Sequence, residues 1–213
     1  MVKTVADFHT AFLEAEEEVK FAELFIDGLA SIENDDCVSA YQPRGVVIPS
    51  INELRYAAKH LSSAMQEGVS EEYRSEHINR GIRHCIRARL DALKAVILFL
   101  VRDFHRFTDD YRLLNISAED QERFNAHRQT VWEVLSKLSK DRSQSTKEDC
   151  ENLKTAIENL HNVYCDVQKF RGVFNKLVEK IDKQGKTSTK QWVIGIALAI
   201  WALTVSIYAL FRC

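Results

Sequence analysis

Residues 192–211, WVIGIALAIWALTVSIYALF, form a run of twenty positions without one charged side chain. A hydrocarbon core about 30 Å thick needs about 20 helical residues at ~1.5 Å each, so the run matches the length of one membrane crossing. Ten of its positions are Leu, Ile, Val or Phe, and each favours insertion by roughly 0.3–0.6 kcal/mol near the bilayer centre. Thr204 and Ser206 can satisfy their hydroxyls on their own helix backbone. A helix buried in a soluble core would keep a polar edge, which this segment lacks. The expected reading is a membrane span walled by residues such as Trp192, Gly195, Ala199, Trp201 and Tyr208.

The flanks set an orientation. Lys176, Lys180, Lys183, Lys186 and Lys190 precede the span and only Arg212 and Cys213 follow Phe211, so the positive-inside rule holds the preceding domain in the cytoplasm. Residues 191–213 are then a C-terminal tail anchor on a single-pass protein whose first partner is the lipid bilayer. Near the N-terminus Glu14, Glu16, Glu17 and Glu18 interrupt the apolar residues, which is unlike a secretion signal.

Before the anchor the chain reads as one helical domain, residues 1–184. Only two prolines occur, Pro43 and Pro49, and no segment alternates with the period of a strand. The pattern predicts a first helix over 4–31, with Val5, Phe8, Phe12, Val19, Ala22, Phe25 and Leu29 on one face. Residues 32–49 read as a loop. Ser50 and Glu53 have the spacing of a capping box and predict a second helix through Gln66, burying Leu54, Ala58, Leu61 and Met65. Ser70 opens a third, long helix to about Leu114, in which residues 93–101, LKAVILFLV, are too few to cross a bilayer and read as core. Ser117 and Asp120 predict a fourth helix to about Lys140, followed by a turn over 141–146.

The fifth helix, 148–184, carries Cys150, Leu153, Ile157, Leu160, Tyr164, Val167, Arg171, Phe174, Val178 and Ile181 at alternating steps of three and four, a heptad seam broken only by Arg171. Phe170, Val173 and Leu177 add a second apolar edge that a two-stranded coil would leave wet. This helix therefore either completes the bundle or joins copies in a parallel stalk. Gly185 and residues 186–190 then look like a short hinge, 185–190, before the anchor.

Formal charge is −2, so no global basic field draws the chain to nucleic acid, and DNA binding is not expected. Five cysteines form no CxxC pair, which fits a reducing compartment and calls for no metal centre. No motif implies a cofactor. On the third helix Tyr73, Glu76, His77, Arg80, Arg83, His84, Arg87 and Asp91 fall in one angular sector, opposite Ile78, Ile82, Cys85, Ile86, Leu93 and Val96. The stripe His77, Arg80, Arg83, His84 and Arg87 is a solvated face with i,i+4 pairs, or else a ligand or subunit contact. Arg89 points to the apolar side and needs a partner acid or must snorkel to the rim.

Two short stretches of this region, RYAAKH (Arg55 to His60) and NRGIRH (with Arg80 and His84), resemble the R-x4–6-H motif of HEPN domains, an all-helical bundle family whose ribonuclease members polarise an RNA 2′-hydroxyl. The second is one residue short of the motif's spacing, and on a straight helix a His five residues after an Arg points about 140° away. If the ribonuclease role carries over, Arg55, His60, Arg80 and His84 are its candidates. A HEPN-like bundle with a membrane anchor is similar to the accessory membrane proteins of type VI-B CRISPR systems, which implies a bacterial inner membrane, a CRISPR-effector or RNA partner, and oligomeric membrane depolarisation in antiviral defence. Three functions stay open: a homo-oligomeric pore or membrane-perturbing cluster, in which Gly195 and Ala199 would allow close helix contact; a membrane-tethered ribonuclease using a histidine as acid or base; and a noncatalytic tether or signalling adaptor.

Overall fold

A computed structural model describes the backbone of residues 3–32, 47–111, 117–138 and 146–210, and side chains over 3–29, 47–111, 117–138 and 146–183. Five helices occur among these residues and no strand: α1 (Val5–Ile32), α2 (Ile48–Ala64), α3 (Glu71–Asp110), α4 (Ala118–Lys137) and α5 (Lys147–Leu210). The chain divides into two compact units, Met1–Cys165 and Asp166–Cys213. The first is an all-α bundle built around α3.

Most helix starts are written in the sequence as a hydroxyl three residues ahead of a free N–H. The Ser70 hydroxyl accepts from the Tyr73 amide at 3.2 Å and that of Ser117 from the Asp120 amide at 3.1 Å. Thr4 with Asp7, and Thr146 with Asp149, bond reciprocally, each hydroxyl taking the other residue's amide while the carboxylate takes the threonine N–H at 2.7 and 2.9 Å. Each cap satisfies a donor that helix geometry leaves free.

Helix α2 departs from the expected capping box. It begins at Ile48, with Val47 as a cap that has no side-chain hydrogen bond and Pro49 inside the first turn. Proline's fixed φ suits that turn and its missing N–H has no partner to lose there. The helix therefore starts ahead of Pro49, and Ser50 becomes a fully buried residue of the first turn. The buried stripe differs from the expected one as well. Ala57 and Ala64 are buried and Leu54 and Leu61 partly so, whereas Ala58 and Met65 lie exposed. Val5 of α1 is likewise exposed, and Ala11, Ala15 and Ile26 join Phe8, Val19, Ala22 and Leu29 in the core.

The α1–α2–α3 corner is close-packed because its residues are small. Phe8, Ala11, Ala15, Ala57, Ala64, Ile78, Cys85 and Ala88 form one buried cluster, with Phe12, Leu54, Leu61 and Ile82 against it. Gly81 sits where the three helices converge: a Cβ there would lie 2.5 and 2.9 Å from the Phe8 ring and 3.4 Å from the Ala57 carbonyl oxygen. Further along α3, Leu93, Ala95, Val96, Ile97, Leu100 and Val101 are buried, as expected of 93–101, although Leu98 faces outward. Phe107 stacks on Phe124 of α4 with ring centroids 5.1 Å apart.

Arg89 is buried on α3 and finds its acids on two other helices. Its guanidinium lies 2.6 Å from Glu14 and 3.5 Å from Glu18 of α1, and 3.6 Å from Glu151 of α5. Lys154 reaches Glu18 at 2.6 Å and Lys147 reaches Glu14 at 3.2 Å. The hydrogen bond to Glu18 raises the Lys154 pKa above the ordinary value of 10.5.

The heptad seam of α5 is buried from Cys150 through Val167 and at Phe174, but Val178 and Ile181 are exposed. Helix α5 is continuous through 185–190, the stretch expected as a hinge. Among the described residues no helix is long and apolar enough to cross a membrane. The side chains of 192–211, expected to do so, lie outside the described residues, as do 33–46 of the first expected loop and 141–145 of the expected turn.

Two stability outcomes follow. Gly81→Ala adds helix propensity worth ~1 kcal/mol but forces the buried Phe8 ring aside, and the net is a loss of about 1–2 kcal/mol by denaturant unfolding. Combining Gly81→Ala with Phe8→Leu is expected to lose less than the two single changes added together. Arg89→Ala uncovers Glu18 and is expected to cost about 3 kcal/mol, whereas exposed Arg83→Ala stays within about 0.5 kcal/mol.

Candidate functional site: a histidine cluster between α2 and α3

Helices α2 and α3 run antiparallel. As α2 passes from Glu53 through His60 to Ala64, α3 presents in turn His84, His77 and Arg74. The pairings are specific: His84 Nδ1 lies 2.7 Å from Glu53 Oε2, His60 Nδ1 lies 3.1 Å from His77 Nδ1, and Arg74 Nε donates to the Ala64 carbonyl at 3.1 Å. That last bond satisfies a carbonyl at the end of α2.

Five facing rings make up the cluster. His60 stacks on His84 with centroids 5.2 Å apart, Tyr56 approaches His84 at 5.6 Å, and Tyr73 covers His77 at 4.2 Å. Local spacing explains the convergence. Glu53, Tyr56 and His60 step by three and four along α2, and Tyr73, His77, Arg80 and His84 do the same along α3, so each set occupies one helix face.

Electrostatics single out His60. Burial lowers its pKa below the ordinary 6.5, and the neighbouring charges of His84, His77, Arg80 and Lys59 act in the same direction. Because a carboxylate can only accept, the Glu53 contact requires His84 Nδ1 to carry a hydrogen. Arg80 is bonded to Glu76 one turn away.

Of the four residues suggested by the HEPN motif, the structure brings His60 and His84 into ring contact and sets Arg80 near enough to act on His60. Arg55 is exposed on α2, off the face that carries His60. In the α3 stripe, His77 and His84 are half-buried against α2, Arg80 and Arg83 are exposed, and Arg87 is half-buried. The stripe is thus split between an intrachain junction and a solvent-exposed edge on which Arg80 is paired with Glu76. Glu53 and Tyr56 complete the cluster without having been singled out as site residues; their shared helix face with His60 is the signal that identifies them.

Among the described residues no group of three or more His, Cys, Asp or Glu is arranged to hold a metal ion. No family model, no curated protein and no solved structure matches the chain.

The cysteines of the bundle differ in reactivity. Burial pushes the Cys85 thiol up to about 12 and the Cys150 thiol to about 11, and the thiolate is the reacting form. Cys165 is exposed, with Sγ 3.6 Å from His161 Nε2. Brief alkylation of the folded protein at pH 8, read by peptide mass spectrometry, is expected to label Cys165 and spare Cys85 and Cys150. Equal labelling of Cys85 would contradict the burial of that face of α3.

Proposed function

We propose that the chain is a membrane-anchored helical protein that works by assembling copies of itself, as a pore-forming or membrane-perturbing effector in bacterial antiviral defence. The observation that carries this reading is the outer surface of α5. Val173, Leu177, Val178 and Ile181 are exposed there, at 39–58 % of their area, and they recur at helical spacing. Water disfavours such a strip at about 25 cal/mol per Å² of apolar surface, and burial between copies would remove the penalty. The same helix carries residues 192–210 of the uncharged run, which in this reading supplies the membrane attachment. Anchors confined to one bilayer would hold their α5 helices parallel, which suits a shared seam. The likeness of residues 50–110 to HEPN bundles supports the placing among anchored accessory proteins of RNA-targeting defence.

A second reading, a membrane-tethered ribonuclease, is favoured by the ring contact between His60 and His84, two of the residues that the motif names. In it a neutral imidazole at His60 serves as the base and the exposed Arg80 edge attracts phosphate.

Particle size separates the two. Detergent-purified full-length protein is expected to be multi-copy by light scattering and electron microscopy. The double change Val173→Glu with Ile181→Glu should yield single copies at nearly unchanged helicity. A strictly monomeric wild-type particle removes the assembly reading. For the ribonuclease, His60→Ala with His84→Ala must abolish RNA cleavage in folded protein, and unchanged cleavage rules those residues out.

A further inference from the structure

Two imidazole nitrogens 3.1 Å apart, His60 Nδ1 and His77 Nδ1, hold together only while one offers a hydrogen and the other a lone pair. With both rings protonated, two N–H groups face each other and an attraction becomes a repulsion. The surroundings decide how that change would be felt. On α2 the charged neighbours of His60 are Lys59 and, across the cluster, Glu53; on α3 they are Arg80 and His84. Glu53 already accepts from His84, and Glu76 already holds Arg80. Tyr73 lies tilted over His77, and Tyr56 lies against His84. Helix α1 brings Phe8, Ala11 and Ala15 to the same junction, all apolar. Glu53, Glu76 and Glu71 are thus each committed to another base, to His84, Arg80 and Arg74 in turn, so protons added to His60 and His77 meet mainly positive charge.

We propose that the α2–α3 junction is a proton-operated latch: with His60 and His77 sharing a single hydrogen, α2 stays closed on α3, and protonating both drives α2 away and uncovers Leu54, Ala57 and Leu61. The sign follows from linkage. Burial and neighbouring charge lower the His60 pKa in the closed state below 6.5, so the open state takes up the proton more readily. The contribution to closure is therefore complete above pH 6.5 and shrinks as the pH falls below it.

Hydrogen exchange on the full-length protein in detergent, read peptide by peptide at pH 7.5 and 5.5 and corrected for intrinsic rates, tests the latch. Over residues 48–64 protection is expected to drop at least tenfold, since each linked proton shifts the opening constant by up to about tenfold per pH unit. Residues 147–165 should change less than twofold. His60→Gln and, separately, His77→Gln keep a hydrogen-bonding side chain that cannot gain charge, and each should flatten the response of 48–64. Circular dichroism selects whichever variant folds. Equal protection of 48–64 at the two pH values, an equal loss in every helix, or a wild-type response in the folded variants would overturn the proposal.

Discussion

A guanidinium that is only 6 % exposed in the middle of a long helix leaves a chain few options, and the arrangement of the bundle follows from how Arg89 is answered. A buried unpaired charge costs several kcal/mol. Glu14 and Glu18 must therefore come from α1, one turn apart, and Glu151 from the first turns of α5. Those three acids are in turn too many for one cation, and Lys147 and Lys154 restore the balance. The result fixes the rotation of α1 and of the start of α5 about α3. Apolar contacts alone would specify that rotation less sharply, because a slide of one residue between two greasy faces costs less than the loss of a charged partner.

About two turns earlier on α3 the specification is steric. Gly81 lets Phe8 and the backbone of α2 approach more closely than any side chain would permit, and the alanines at 11, 15, 57, 64 and 88 continue that close approach. Small residues bring the helices together, and closeness then places the imidazoles of α2 and α3 within hydrogen-bonding range. The histidine cluster is thus a consequence of the alanine and glycine packing behind it.

What could be read from the residues depended on whether the determining contact was local. Ser70 and Ser117 announced α3 and α4 because a cap acts over three residues. Thr146 with Asp149 would have announced α5 by the same rule. Ser50 misled because the fixed φ of its neighbour Pro49 outweighed the capping box and moved the start of α2 to Ile48; the burial of Ala57 in place of Ala58 follows separately, from the close approach of α2 to Gly81. From its angular position alone Arg89 could be recognised as needing either an acid or a route to the rim, but its partners lie more than sixty residues away in sequence and no periodicity points to them. The histidines were visible as a stripe on one helix. Their meeting with His60 depends on the register of the α2–α3 pair, which the turn between the helices and the packing at Gly81 decide together.

The two polar sites flanking α3 differ in what acid does to them. A guanidinium keeps its proton throughout the range in which proteins stay folded, and the hydrogen bond that Lys154 donates to Glu18 pushes its ammonium further from neutrality, so the cations at the α1–α5 side keep their charge from neutral pH down to mild acidity. Imidazoles do not share that constancy: near their ordinary pKa a small drop in pH changes the sign of the interaction between two that touch. One helix therefore holds two of its neighbours by permanent cations and a third mainly by titratable rings, with the single Arg74 bond to Ala64 beside them. Mild acid acts on α2 first, while Arg89 and its acids continue to bind α1 and α5, and the bundle has a built-in order in which its parts can let go.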